Sequence, residues 1–248
     1  MLLTLNLPGR RNAMTAELTA AWAAAVADLR ASPTVRCVVV TGAGSAFCAG
    51  GDLGWLAESP DLSVADLRDR MLAFYRSWLS IRDVEVPVLA AVNGPAMGAG
   101  LCLALACDLR YAGERAVFAA PFTALGMHPG MAATWLLPAA VGLGPARELL
   151  FTGRTVDAQE AARIGLVQRV FRADRLLDEV VAVAETVAAQ APVALRLTKA
   201  ALARSGHATL EDALAWEALA QPVTMATSDL REGLRAQAER RPARFTGA

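Results

Sequence analysis

The pattern of hydrophobic and polar positions divides the chain into a part where strands alternate with helices and a part with helices only. Uninterrupted runs rich in β-branched residues at 35–42 and 87–92 are typical of strands that are buried on both faces. Apolar positions spaced i, i+3 and i+4 over residues 176–189 predict an amphipathic helix. The alternation indicates an α/β fold, followed over residues 191–248 by helices alone. Further strands are predicted at residues 2–7, 108–113, 116–121 and 165–170, and further helices at 16–31, at 63–82, after Gly100 and from Pro192.

Several helix starts are marked by residues that can cap them. Thr15 precedes the first predicted helix, and two acidic residues follow a capping residue by three positions, Asp66 after Ser63 and Glu160 after Asp157. These residues predict where the helices begin and which segments remain as loops.

Composition and charge exclude several classes of protein. Of the 248 residues 55% are hydrophobic, and 24 basic side chains balance 24 acidic ones, so the chain has no net basic charge with which to bind nucleic acid. The charge-free stretches 86–107 and 116–146 are interrupted by Pro and Gly, which indicates buried core elements rather than membrane spans. The four cysteines have no paired spacing and no signal peptide is recognisable, so we expect a cytoplasmic protein with reduced thiols.

The glycines after the first buried strand match a dinucleotide-binding loop only in part. Gly42 and Gly44 follow the strand, but Phe47 stands where the third glycine of that fingerprint belongs, and no acidic residue follows to hold a ribose. The sequence contains neither a Walker lysine nor a cluster of metal ligands. We therefore expect no nicotinamide cofactor and no metal.

Two distant segments of small residues, 46–53 and 90–112, can both present backbone N–H groups to a ligand. Each lies where a buried strand breaks into glycine and alanine, so no side chain obstructs the backbone. Two N–H groups directed at one oxygen form an oxyanion hole, which stabilises an enolate that develops from a thioester. No acid or base stands beside Gly98, Ala99 and Gly100. The site is therefore either catalytic, with its proton-transfer group elsewhere, or a binding site only.

These segments resemble those of the crotonase superfamily, the enoyl-CoA hydratase and isomerase family, and the resemblance extends over nearly the full chain. "RRNAM" is similar to the family's early CoA-contacting turn, "AFCAGGDL" to its first oxyanion segment and "AAVNGPAMGAGLCLALACDLRYA" to its second. "LGMHPGMAATWLLPAAVG", "ELLFTGRTVDAQEAARIGLVQRVF" and "MATSDLREGLRAQAERRPARF" follow in the family's order. The resemblance implies a crotonase-like α/β spiral of ββα units over residues 1–190 and a helical trimerisation region over residues 191–248.

The ligand that the resemblance implies is an acyl-CoA, with coenzyme A as part of the substrate and no separate cofactor. Its thioester oxygen would accept hydrogen bonds from the N–H groups of Gly51 and Ala99, where Ala99 replaces the family's usual glycine. The implied assembly is a homotrimer or a dimer of trimers. The residues implied near the nucleotide and pantetheine are Arg11, Ala13, Ala49, Asp52 and Leu53.

The chain departs from the family at both of its catalytic glutamate positions. These positions carry Cys102 and Phe122, and neither side chain can deprotonate water as a pair of carboxylates does. Both are still expected at the substrate site, together with Gly130. We therefore expect an acyl-CoA lyase or isomerase that is not a standard hydratase, with isomerisation, decarboxylation, hydrolysis and carbon–carbon cleavage as candidate reactions. The alternative is an acyl-CoA-binding protein without catalytic activity.

Three replacements for the missing acid or base remain open. His128 lies two residues before Gly130, whose family counterpart lines the water site, and histidine exchanges protons near neutral pH. Cys102 lies at a helix N-terminus, where the dipole lowers the pKa of a thiol, and is a candidate nucleophile for acyl transfer, although a buried cysteine is usually inert. Glu58 and Asp61 follow the first oxyanion segment and are the third candidates.

Other polar and aromatic positions have structural explanations. Asp108 is expected to anchor the start of a strand rather than to donate protons, and His207 is expected at the surface. Four aromatic residues either line an acyl channel or fill the core; these are Trp55, Phe74, Tyr75 and Trp78.

Overall fold

The architecture follows the predicted alternation of strands and helices. A computed structural model describes residues 1–52, 54, 57, 62–204, 206 and 208–248. The strands are β1 (Leu2–Leu5), β2 (Val38–Gly42), β3 (Val88–Val92), β4 (Ala96–Met97), β5 (Leu109–Gly113), β6 (Val117–Ala119), β7 (Val156–Asp157) and β8 (Arg169–Phe171). The helices are α1 (Ala16–Ala31), α2 (Val64–Leu79), α3 (Ala99–Ala106), α4 (Ala133–Val141), α5 (Leu143–Thr152), α6 (Ala158–Arg163), α7 (Leu176–Ala188), α8 (Pro192–Leu202), α9 (Leu210–Met225) and α10 (Ser228–Ala238).

The larger sheet is entirely parallel and has the strand order β1-β2-β3-β5-β8. Its central strands β2 and β3 are buried along their whole length, which explains their uninterrupted apolar sequence. Alternate residues of these strands point to opposite faces of the sheet. Val39 packs with α7 on one face, and Val40 belongs to the main core on the other. The predicted α/β class is confirmed.

The smaller sheet, with the order β4-β6-β7, positions the turn that precedes α3. Strand β4 pairs with β6 in parallel, and β6 pairs with the antiparallel β7. Because β4 ends at Met97 and α3 begins at Ala99, the chain turns sharply at Gly98, where the N–H donates to the carbonyl oxygen of Ala119 at 2.8 Å.

The predicted caps are present, whereas the predicted strands are longer than the observed ones by one to three residues. The Oγ1 of Thr15 accepts from the N–H of Leu18, and a carboxylate oxygen of Asp157 accepts from the N–H of Glu160 at 2.7 Å. The strand predicted at 35–42 begins only at β2, and the one predicted at 165–170 reduces to β8. Gly165 adopts a φ of +80° within a turn there, so apolar composition alone misplaced the start of β8.

The C-terminal helices lie outside the main core. Within the described residues, α8 and α9 contain no buried residue. No single described helix is long and apolar enough to cross a membrane, although α7 and α8, bent by 107° at their junction, meet the criteria of length and composition together.

Candidate active site

A cavity of about 230 Å³ lies where the smaller sheet, α2 and the loop after β6 meet, and we call it the acyl cavity after the ligand that the family resemblance implies. Among its described lining residues none is Asp, Glu, Lys or Arg, and four are methionines. Such an apolar lining with few polar groups is typical of small-molecule sites. The lining residues are Ala49, Gly50, Gly51, Met71, Phe74, Tyr75, Met97, Gly98, Ala99, Pro121, Phe122, Leu125, Met127, His128, Gly130 and Met131.

Two backbone segments run side by side at this cavity. Cys48 pairs with Ala96 in a parallel bridge, and the N–H of Met97 donates to the carbonyl oxygen of Cys48 at 3.0 Å. Gly51 and Ala99 each follow this bridge by three residues, and both line the acyl cavity. The predicted pair of N–H donors therefore comes from equivalent positions of two paired segments.

The N–H groups of Gly51 and Ala99 are not used within the described part of the chain. Ala99 is the first residue of α3, so the helix offers no carbonyl to its N–H. No described group accepts a hydrogen bond from the N–H of either residue. A Cβ atom on Gly51 would meet nothing within 4 Å, so this backbone borders open space. The positive end of the α3 dipole adds to the attraction for a negative oxygen.

Glycines allow the two segments to approach this closely. Gly50 has a φ of +97° and Gly98 a φ of +53°, a region that favours glycine. A Cβ atom on Gly50 would lie 2.5 Å from the carbonyl oxygen of Met97. On Gly100 it would overlap the carbonyl oxygen of Cys48, so a larger residue at either position separates the segments.

Two asparagines fix the chain that leads into the first segment. The Nδ2 of Asn12, which is completely buried, donates to the carbonyl oxygens of Ala46 at 2.8 Å and Phe47 at 3.2 Å. The Nδ2 of Asn93 donates to the carbonyl oxygen of Gly44 at 3.0 Å. Neither asparagine was predicted to have a role, although Asn12 lies in "RRNAM" and Asn93 in the second oxyanion segment. Burial removes these loop carbonyl oxygens from water, and the two asparagines supply the hydrogen bonds that replace those to water.

Cys102 lies behind the wall of the acyl cavity. Its side chain is 1% exposed, is not part of the lining, and directs Sγ to the carbonyl oxygen of Gly130 at 3.6 Å. Burial, with a smaller contribution in the same direction from the neighbouring Cys48, raises the pKa of the Cys102 thiol to about 12. The predicted lowering of this pKa by the helix dipole is therefore wrong, because desolvation outweighs the dipole. At neutral pH the group is a protonated thiol.

Phe122 supplies a hydrophobic wall. The residue is 9% exposed and lines the acyl cavity, and its ring approaches within 3.8 Å of the point where a Cβ atom on Gly98 would lie. Its carbonyl oxygen accepts from the N–H groups of Leu125 at 3.1 Å and Met127 at 2.9 Å, which holds the following turn. The side chain cannot exchange a proton.

His128 lies on the exposed rim of the acyl cavity. Its Nδ1 is 2.8 Å from the carbonyl oxygen of Pro129. Since a carbonyl can only accept, Nδ1 must carry the hydrogen, and the neutral ring leaves Nε2 as a free base. Gly130, predicted at the site, lines the same part of the cavity.

The residues predicted near the nucleotide lie in two joined loops. The N–H of Ala49 donates to the carbonyl oxygen of Arg11 at 3.0 Å, and Ala49 also lines the acyl cavity. Ala13 precedes the bridge that pairs Met14 with Gly51. Asp52 is held by the Nη2 of an arginine that sequence analysis did not select, Arg10, at 3.1 Å.

Helix α2 forms a wall that resolves the open question about the aromatic residues. Phe74 and Tyr75 line the acyl cavity, whereas Trp78 is completely buried in the core. The Trp78 ring stacks on Trp22 with centroids 5.1 Å apart, and its Nε1 donates to the Oγ1 of Thr19 at 3.0 Å. These contacts with α1 fix where the cavity face of α2 points.

Asp108 has the structural role predicted for it. Its Oδ2 accepts from the N–H of Val88 at 2.7 Å and from the Nζ of Lys199 at 2.7 Å, which ties β3 to α8. The described residues contain no cluster of His, Cys, Asp or Glu that could hold a metal ion.

Five predictions concern residues outside the described part of the chain. These residues are Leu53, Trp55, Glu58, Asp61 and His207.

Known proteins resemble this chain over its full length. The sequence profile of the enoyl-CoA hydratase/isomerase family matches residues 1–248. A Thermus thermophilus protein, whose name assigns it provisionally as an enoyl-CoA hydratase, is 41% identical over 241 residues, which cover 97% of this chain and 95% of the relative. A protein of Syntrophomonas wolfei named crotonyl-CoA hydratase is 36% identical over 244 residues, which cover 98% of this chain and 93% of the relative.

A solved structure agrees with the sequence relatives. The crystal structure of an enoyl-CoA hydratase from Bacillus anthracis superposes with a TM-score of 0.93 at 33% identity, and the match covers 100% of this chain and 95% of that one. The crotonase fold predicted from the sequence is thereby confirmed. The chain belongs to the enoyl-CoA hydratase/isomerase family of enzymes, which act on acyl-CoA thioesters.

Proposed function

We propose that this protein acts on an acyl-CoA whose thioester oxygen accepts hydrogen bonds from the N–H groups of Gly51 and Ala99. The observation that carries the proposal is their shared register, three residues past the bridge between Cys48 and Ala96, at one apolar cavity. Removal of an α-proton from a thioester moves negative charge onto the thioester oxygen. Preorganised N–H donors in a site of low dielectric constant stabilise that charge without reorganising.

His128 is the residue to which we assign proton transfer. Its Nδ1–H is occupied by the carbonyl oxygen of Pro129, so Nε2 is the atom that takes a proton from the acyl chain and returns it. An isomerisation needs only this single base, which removes a proton at one carbon and delivers it to another while Gly51 and Ala99 hold the enolate.

We further propose that the enzyme is not a standard hydratase. Hydration requires a group that orients and deprotonates water, and the resemblance places two glutamates in that role. Here the corresponding positions hold the buried thiol of Cys102 and the ring of Phe122. The candidate reactions without a carboxylate pair are then isomerisation, decarboxylation and carbon–carbon cleavage, which are those of an isomerase or a lyase, and hydrolysis.

Coenzyme A enters as part of the substrate, and we propose no separate cofactor. The pantetheine and nucleotide would lie along the joined loops of Arg11, Ala13, Ala49 and Asp52; the fifth residue that the resemblance implies there, Leu53, is outside the described part of the chain. The contact between Ala49 and Arg11 connects this surface to the acyl cavity, so the thioester can reach Gly51 and Ala99.

The C-terminal region, residues 191–248, is proposed to join copies of the chain into a homotrimer or a dimer of trimers. Large apolar side chains that need a partner to leave water remain exposed on α9, which is unusual for a surface helix. They are Leu210, Leu214, Leu219, Val223 and Met225. We propose a cytoplasmic location and no nucleic-acid or membrane partner, in keeping with the balanced charge.

The test measures ligand binding first and turnover second. Acyl-CoA thioesters of graded chain length are expected to raise the melting temperature, because a ligand that binds only the native state stabilises it. Crotonyl-CoA and the same acyl-CoA set are then incubated with the enzyme, and the products are followed by mass spectrometry. We expect conversion of at least one thioester and no hydration of crotonyl-CoA at an ordinary enzymatic rate.

Different outcomes remove different parts of the proposal. Hydration of crotonyl-CoA at an enzymatic rate would show that Cys102 and Phe122 do not prevent hydratase chemistry. Turnover that survives His128→Ala would remove His128 from proton transfer. Binding without any turnover would favour the acyl-CoA-binding alternative, and the absence of any melting shift would refute the ligand class.

A further inference from the structure

Tyr75 places a hydroxyl group at the acyl cavity, on the wall formed by α2. Its Oη would lie 2.5 Å from a Cβ atom added to Gly130, so the absence of a side chain at position 130 makes room for the hydroxyl. Phe74 packs edge-on against the Tyr75 ring with centroids 6.1 Å apart. Because the core residue Trp78 anchors α2, the ring is held in place rather than carried on a loop.

The hydroxyl has only a weak partner. Among the described residues it donates to the Sδ of Met71 at 3.6 Å, and a thioether is a poor acceptor. The surrounding lining includes Met131, whose thioether is an equally poor acceptor, and Phe74, whose side chain has no oxygen, nitrogen or sulfur atom. A half-buried phenol without a strong acceptor loses hydration free energy that a ligand oxygen can restore.

We propose that Tyr75 determines substrate specificity by donating a hydrogen bond from Oη to an uncharged oxygen atom on the acyl chain. The inference rests on the proposed function, since it assumes that the acyl group occupies this cavity. The preferred substrates are then acyl-CoAs that carry a hydroxyl or keto oxygen on the acyl chain, in place of purely hydrocarbon ones.

The protonation state of Tyr75 suits a donor. Burial raises the pKa of the phenol, and the nearby Cys102 thiol acts in the same direction, so Tyr75 stays neutral at physiological pH. The described lining offers no Lys or Arg to a carboxylate. A charged acyl group would lose its hydration without a counter-ion, which favours an uncharged oxygen.

The experiment compares ligands and variants in a thermodynamic cycle. Dissociation constants are measured by calorimetry for butyryl-CoA, 3-hydroxybutyryl-CoA, 4-hydroxybutyryl-CoA and acetoacetyl-CoA with the wild type and Tyr75→Phe. We expect at least one oxygenated ligand to bind the wild type about 3- to 10-fold more tightly than butyryl-CoA, the range of a neutral hydrogen bond. Tyr75→Phe removes this preference and leaves the affinity for butyryl-CoA within about twofold.

Two further variants separate specificity from structure. Tyr111→Phe makes the same chemical change in a buried tyrosine that packs on Phe171 in another part of the core, and it is expected to keep the preference. Gly130→Ala introduces a methyl group 2.5 Å from the present position of Oη, so the ring must move, and it is expected to abolish the preference without removing the hydroxyl.

The outcomes distinguish this inference from the proposed function. If every acyl-CoA binds and no oxygenated ligand is preferred, or if the preference survives Tyr75→Phe, the role of Tyr75 is refuted while acyl-CoA binding stands. If no acyl-CoA binds the wild type, the ligand class itself is wrong.

Discussion

The two sides of the acyl cavity are built by different means. The side of Gly51 and Ala99 is backbone, held by the pairing of Cys48 with Ala96 and by glycines that permit close approach. The other side is made mainly of side chains, among them Tyr75, from two parts of the chain, α2 and residues 121–131. A backbone N–H donor is retained in most substitutions at its own position, whereas a single substitution replaces a side-chain group. The first side can therefore keep the polarising role proposed for it while the second acquires a new reaction or substrate.

The largest effect is expected when one backbone N–H donor is removed. This change tests directly whether the backbone side has a role of its own. Ala99 is the first residue of α3, a position that tolerates proline, so Ala99→Pro deletes the N–H with little change to the helix. Turnover of the acyl-CoA that the wild type converts is expected to fall about 10²- to 10³-fold, as for other oxyanion-hole donors.

Ala99→Gly is the matched control for that variant. It retains the N–H and restores the residue that the family resemblance implies, so turnover is expected to stay within a few-fold of wild type. Equal losses in both variants, measured by product mass at saturating substrate, would show that side-chain volume at position 99 matters and the N–H does not.

Asn12 tests whether the backbone side depends on support from outside the cavity. Asn12→Ala leaves the buried carbonyl oxygens of Ala46 and Phe47 without their donor, and the free energy of unfolding is expected to fall by about 3 kcal/mol. Urea denaturation measures the change. Asn6→Ala makes the same substitution at an exposed position and is expected to stay within about 0.5 kcal/mol of wild type. A neutral Asn12→Ala would mean that the loop holds its shape without these hydrogen bonds.

The sequence reveals the backbone side better than the side-chain side. Runs such as Gly98-Ala99-Gly100 indicate a close approach of backbone, and the positive φ of Gly98 and the crowding around Gly100 explain why glycine stands there. The caps at Thr15 and Asp157 are equally local, since the capping hydrogen bond spans only three residues. Fold class follows from such local signals together with apolar periodicity.

Which residues of α2 line the cavity could not be predicted from such local signals. Tyr75 and Trp78 are three residues apart on one helix, yet Tyr75 lines the cavity and Trp78 lies in the core. Which of them faces the cavity depends on how α2 is set against α1 by the stacking of Trp22 on Trp78, a contact between residues distant in sequence. Neither periodicity nor composition contains that information.

Cys102 gives the smallest expected effect, and it tests whether a nucleophile lies hidden behind the side-chain wall. Its thiol ionises only near pH 12 in the native state, against about 8.5 in an unfolded chain, so it is protonated where the enzyme works. Cys102→Ala is therefore expected to keep turnover within about twofold at pH 7 to 8, like Cys37→Ala on the other face of the sheet. A loss above tenfold in Cys102→Ala alone would identify the thiol as a participant.

The pH dependence of stability gives a second measurement on the same variant. Because the native pKa of Cys102 is raised, its protonated thiol contributes stability that is complete below about pH 8.5 and is lost as the pH rises toward 12. The melting temperature of Cys102→Ala should consequently fall less steeply above pH 9 than that of the wild type. An identical slope would mean that the thiol is already accessible to solvent. Burial would then not explain why the Cys102 thiol takes no part in the reaction at the cavity.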